Sequence, residues 1–132
     1  MAGDKAMSAP LAVGIGCRLE ASAESIAALV RDTLKTCAGD AAAVFTHREK
    51  AEATNIRLAA QSLGLPLVGL STERLADQTL HLTRTSAAAQ RRFGVGNVAE
   101  AAALAGAGPG ATLLAFAKTS AVTCAIAAPR SA

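Results

Sequence analysis

Near the start of the chain, Gly14-Ile15-Gly16-Cys17-Arg18 sets two glycines, a thiol and a guanidinium within one short run. Ahead of a helix and beside an arginine, the Cys17 thiol would have its pKa lowered toward a reactive thiolate. Neither His47 nor His81 is near it in sequence, however, and a buried, inert thiol explains the same residue. Gly14 and Gly16 would let a ligand approach the backbone, with Arg18 projecting at that edge; a tight turn with a solvated arginine is the equal alternative. The dinucleotide fingerprint is absent, because its third small position falls on Leu19, and no Walker lysine and hydroxyl pair follows. Glu100, the one acid after Asp77, could act as a general base in a cleft. Lying three residues after Asn97, it also has the place of a capping-box carboxylate, which needs no substrate. Arg91 and Arg92 are adjacent and precede Phe93-Gly94-Val95-Gly96, and Lys118 follows the apolar run Leu113–Ala117, with hydroxyls at Thr119, Ser120 and Thr123. His47 reads as a surface residue at a helix start.

The elements that must position these groups alternate. Leu11–Gly16 reads as a short buried strand. Ser22 can cap the next helix, with Glu24 in its first turn, Ile26, Leu29, Val30, Thr33 and Cys37 along one face, and Gly39 as the stop. Ala42–Thr46 is a second strand; Thr46 and Glu49 then have capping-box spacing for a helix with Ile56, Ala59, Ala60 and Leu63 on its face, ended by Gly64. A third strand follows Pro66, and a short helix is expected over 72–77. Residues 79–96 are poorly patterned, with a short helix ending near Gly94. A helix capped by Asn97 runs to the glycines at 106, 108 and 110, and two closely linked strands, 112–120 and 121–129, suggest an antiparallel hairpin. This order predicts an α/β protein, a three-layer α/β/α sandwich with a mostly parallel, mixed sheet. Residues 1–10 read as a flexible N-terminal tail and 11–132 as a single domain.

Composition narrows the classes. Of the 132 residues, 52% are hydrophobic but only 2% aromatic, so Ala, Leu, Val and Ile must build the core and base-stacking platforms are scarce. Residues 1–80 carry eight Lys or Arg against nine acids, whereas residues 81–132 carry five against one. A basic second half suits an anionic partner, yet it is too sparse for a duplex DNA stripe, and no nucleic-acid partner is expected. Cys17, Cys37 and Cys124 are far apart and form no CxxC pair, and two His residues do not complete a cluster, so neither a metal site nor a disulfide scaffold is expected. The opening residues lack a signal-peptide pattern, and no apolar run is long enough to span a membrane, which fits a cytoplasmic protein.

Taken together, the pieces VGIGCRLEASAESI, LGLPLVGL, GVGNVAEAAALAGAG and LLAFAKTSAVTCAIA resemble the cobalamin-biosynthesis family that comprises CobE and the C-terminal domain of CbiG. The likeness covers nearly all of the chain after the first ten residues, and the length suits the free-standing, CobE-like form. The family run Gly-x-Gly-Cys-Arg followed by Ser-Ala-Glu maps to Gly14, Gly16, Cys17, Arg18, Ser22, Ala23 and Glu24; later positions map to Gly94, Val95, Glu100, Ala101, Ala102, Lys118 and Thr123. One position departs: Glu20 stands where the family usually has glycine, which would strain a turn needing positive φ or repel an acidic ligand. The resemblance implies a three-layer α/β/α fold and a role near ring contraction in corrin synthesis, where CbiG opens a lactone and releases a two-carbon aldehyde. It implies a precorrin or related anionic tetrapyrrole as ligand, with other corrin-pathway enzymes as possible partners and no protein-held cofactor. Gly14, Gly16, Cys17, Arg18, Ser22, Arg91, Arg92, Asn97, Lys118 and Thr123 are then the expected substrate-binding residues, and Glu100 the candidate for catalysis. A non-catalytic carrier and a small phosphate- or nucleotide-binding module are the competing functions.

Overall fold

The computed structural model describes residues 10–130; apart from Pro10, the expected N-terminal tail lies outside the described residues. Five strands form one sheet: β1 (Leu11–Cys17), β2 (Ala41–His47), β3 (Leu67–Leu70), β4 (Thr112–Lys118) and β5 (Val122–Ala128), in the order β3-β2-β1-β5-β4. β1 pairs parallel to β2, and β2 to β3, whereas β5 runs antiparallel to both β1 and β4. Four strands therefore point one way and β5 alone opposes them. The result is the three-layer α/β/α sandwich with a mixed sheet.

Side-chain alternation along β1 explains the layers. Leu11, Val13 and Ile15 face α1 (Ala23–Leu34) and α3 (Thr54–Leu63), meeting Ile26, Ala27, Val30, Ile56, Ala59 and Ala60 in one core. The opposite face carries Ala12, Gly14 and Gly16 on β1, and Ala125 and Ala127 on β5. On it lies α6 (Val98–Ala107), in which every residue from Val98 to Ala105 is buried. At Gly14 an added Cβ would overlap the carbonyl oxygen of Ala99 and stand 2.6 Å from the amide nitrogen of Ala103. Helix and strand backbones touch there, so Gly14 is a packing residue.

The caps follow local chemistry. Ser22, Ser71, Ser86 and Asn97 accept backbone N–H bonds at the starts of α1, α4 (Thr72–Ala76), α5 (Ala87–Phe93) and α6. Gly64 and Gly94 close α3 and α5 in the left-handed conformation. Three local expectations are corrected. Thr46 does not cap a helix: β2 continues to His47 through its pairing with β3, and the Thr46 hydroxyl donates instead to the Ile15 carbonyl at 2.7 Å. His47 caps α2 (Arg48–Ala51) with its ring, and a separate α3 follows. The first helix ends at Leu34 rather than reaching Cys37, with the chain turning through Gly39 at φ 114°. Within the unpatterned region, residues Thr79–His81 form one 3-10 turn and the chain then runs irregularly to Ser86.

Candidate functional site

In parallel-type sheets, ligands sit beyond the carboxyl ends of the strands. Here that edge gathers the ends of β1 and β4, the start of β5 and the start of α6. The pairing registers set Gly16, Thr123 and Lys118 side by side on three neighbouring strands. The Thr123 hydroxyl donates to the Gly16 carbonyl at 3.1 Å, and a Cβ at Gly16 would stand 2.8 Å from that hydroxyl oxygen. Gly16 thus makes room for a hydroxyl within the wall. Beside it, the Arg18 amide donates to the Ala121 carbonyl at 2.8 Å, fastening the loop after β1 to the turn between β4 and β5.

An open concavity of about 680 Å³ occupies this edge. Its floor includes Val98, Val122, Phe93 and Phe116, and five cations line it: Arg18, Lys50, Arg84, Arg92 and Lys118. Glu20 is the one acid among the described residues that line it. Arg18, Arg84, Arg92 and Lys118 are exposed at the rim, whereas Lys50 is only 8% exposed. Glu20 adopts no positive φ, so glutamate at the usual glycine position does not strain the backbone.

Arg84 is held from three sides. Its guanidinium lies 4.3 Å from the centroid of the Phe116 ring, and its Nη1 donates to the Thr83 hydroxyl at 3.0 Å and to Glu100 Oε2 at 3.1 Å. The Glu100 carboxylate is fully buried and also accepts from the Thr83 hydroxyl, the Thr83 amide at 2.8 Å and the Arg84 amide at 3.2 Å. A buried carboxylate needs such compensation. The expected capping box is half made: Asn97 Oδ1 accepts from the Glu100 amide, but the carboxylate turns to the 83–84 loop instead of reaching back. Glu100 does not line the concavity.

The thiol of Cys17 is pushed up by burial; the nearby Lys50 charge and the Asn55 amide act against that shift, and Glu20 adds to it. It is a poor thiolate at neutral pH. His47 proves buried, at 2% exposure, which corrects the expected surface position. Its Nδ1 accepts from the Glu49 amide at 3.1 Å, which leaves the proton on Nε2, 2.8 Å from the Thr72 hydroxyl; Phe93 stacks on it at 4.9 Å. Cys124 is buried in the core, its pKa pushed up to about 12.

The concavity brings together Gly16, Cys17, Arg18, Arg92, Asn97, Lys118 and Thr123 of the expected set. It does not include Gly14, which lies under α6, nor Ser22, which caps α1, nor Arg91, which is exposed on α5 outside the lining. Lys50, Arg84 and Phe116 were not anticipated. For Arg84 a signal existed: Glu100 is a lone acid in an otherwise apolar helix, and a buried carboxylate calls for a cation from another element. Among the described residues no group of three His, Cys, Asp or Glu side chains could hold a metal ion, and no helix is long and apolar enough to cross a membrane.

Residues 11–127 match the family described as cobalamin synthesis G C-terminus (CbiG_C). The chain belongs to this cobalamin-biosynthesis family. It is similar in structure to CobE, a protein from the cobalamin (vitamin B12) biosynthetic pathway, with a TM-score of 0.86 and 34% identity over 94% of this chain and 93% of that one. It is also similar to the cobalamin biosynthesis protein chiG from Agrobacterium tumefaciens, with a TM-score of 0.71 and 32% identity over 90% of this chain and 98% of that one. No curated protein matches the chain. Family membership agrees with a role in the corrin pathway.

Proposed function

We propose that the protein binds a corrin precursor, near the ring-contraction stage, and holds it for other enzymes of the pathway. The observation that carries this reading is the set of five cations around one apolar-floored concavity, drawn from five separate segments and facing a single acid. Spaced cations suit a ligand whose carboxylates are spread around a large apolar ring. A phosphate asks for donors that converge, so the nucleotide-binding alternative is less well served. At the start of α6 the Glu100 amide is already taken by the Asn97 side chain. Arg84 is pre-aimed by Glu100 and Phe116, which lowers the cost of ordering a carboxylate clamp on binding.

Holding is favoured over lactone hydrolysis by the place of Glu100. Its carboxylate is enclosed and bonded to Thr83 and Arg84, so its role here is to position Arg84. The test is an absorbance titration of the purified protein with cobyrinic acid, a corrin whose acetate and propionate arms are free acids. Binding is expected at low salt and should weaken steeply as salt rises. The double reversal Arg18→Glu with Lys118→Glu should lower affinity at least about tenfold if each rim contact is worth about 0.5–1 kcal/mol and is replaced by repulsion. No binding by the unaltered protein at low salt, or full affinity after the reversal, would overturn the proposal. Release of a two-carbon aldehyde from a lactone-bearing corrin, abolished in Glu100→Gln while binding persists, would instead favour catalysis.

A further inference from the structure

Lys50 differs from every other cation of the concavity. It comes from α2, directly beyond the carboxyl end of β2, and its stem is buried, leaving 8% of the residue exposed. Among the described residues no carboxylate pairs with it. Among those residues, too, no fully enclosed side-chain nitrogen or oxygen lacks a hydrogen bond. The Lys50 ammonium makes none among the described residues, so it is not fully enclosed, and Lys50 and Cys17 both line the concavity. Its charge is felt at the Cys17 thiol. A lysine buried this far without a partner is uncommon.

We propose that the corner formed by Lys50 and Cys17 is a single-carboxylate subsite that selects ligands in which the arm reaching it is a free acid and rejects those in which it is an amide. This rests on the corrin-binding reading above and refines it. A carboxylate at that corner neutralises the ammonium and accepts its hydrogen bonds. A carboxamide oxygen accepts one bond but leaves the charge uncompensated. The protein would therefore hold a ligand whose arm at that corner is still a free acid.

Affinities for cobyrinic acid and for cobinamide, a corrin whose arms are amidated, should be measured with the unaltered protein and with Lys50→Met, Lys50→Arg and Lys118→Met. Removing Lys50 should weaken acid binding on the order of 30-fold or more, as expected when a buried charge partner is lost. Lys118→Met at the rim should cost only about 2–5-fold, as for an exposed ion pair. Cobinamide affinity should change little in Lys50→Met, so the acid-over-amide preference collapses, and Lys50→Arg should recover part of it. The free Lys50→Met protein should melt at the same temperature as the unaltered protein or higher, since among the described residues Lys50 makes no ion pair or hydrogen bond to lose and methionine fills the place of its stem; a lower melting temperature would mark a merely structural lysine. If any variant fails to fold, protection of Lys50 from reductive methylation in the unaltered protein, by the acid but not by the amide, reads the same contact by mass spectrometry. Tight acid binding with an undiminished preference in Lys50→Met overturns the subsite and leaves the functional reading standing. Failure of the unaltered protein to bind the acid removes both.

Discussion

Two buried residues show how single side chains govern this protein. Glu100 is enclosed, and its charge is matched by Arg84 and three further hydrogen bonds. Glu100→Gln should cost about 1–3 kcal/mol, the cost of losing hydrogen bonds to a charged group. Arg84→Ala should cost more, because it leaves the carboxylate without its cation, yet less than the about 3–5 kcal/mol of a wholly broken buried pair, since Thr83 and two amides still serve it. Chemical denaturation of both single variants and the double variant measures the coupling. His47 gives the pH dependence. Burial lowers its pKa below the usual 6.5, so the unfolded chain takes up a proton before the folded one does. The stability this provides is fully present above about pH 6.5 and is lost as pH falls through the folded-state pKa. Protonation also ends the acceptor role of Nδ1 at the start of α2. Melting temperature measured across that acid range should fall more steeply for the unaltered protein than for His47→Gln.

At the level of elements, the contact of α6 with β1 dictates the shape of the site, because it fixes where α6 begins. Gly14→Ala drives a methyl into helix backbone, which cannot yield, and should cost about 3 kcal/mol or more. At Gly106 the nearest atoms to an added Cβ belong to the Phe45 side chain, at 2.5–2.6 Å, and a side chain can shift where helix backbone cannot; Gly106→Ala should cost less than Gly14→Ala in the same denaturation series. The short apolar run Leu11–Gly16 made the first strand legible, and Ser22 and Asn97 made the starts of α1 and α6 legible, since both signals are local. The Gly14 and Gly16 spacing was visible too, but not its division of labour: one glycine admits a helix, the other a threonine hydroxyl from β5. Residues 79–86 could not be read because their order comes from elsewhere. The Glu100 carboxylate holds Thr83 and Arg84, and the Ser86 amide donates to the Gly96 carbonyl at 2.7 Å. Such long-range bonds leave no period in the sequence.

Across the whole molecule, the uneven charge along the sequence becomes a convergence in space. Arg84, Arg92 and Lys118 come from the basic second half, while Arg18 and Lys50 are contributed by the first. Arg18, Arg92 and Lys118 could be singled out because they flank glycines or strand ends; Lys50 could not, because only the parallel pairing of β1 with β2 brings α2 beside Cys17. The place of β5 has one more outcome, in the time order of folding. This strand lies between β1 and β4 in the sheet, yet follows every other element in the sequence. During synthesis β1 must wait, with one of its two edges unpaired, until residue 128 has left the ribosome tunnel. Nascent chains halted before Val122 should therefore be digested readily by protease, and chains long enough to release Ala128 should become resistant in a single step. Resistance arising gradually from α1 onward would show instead that the first three strands form a stable unit by themselves.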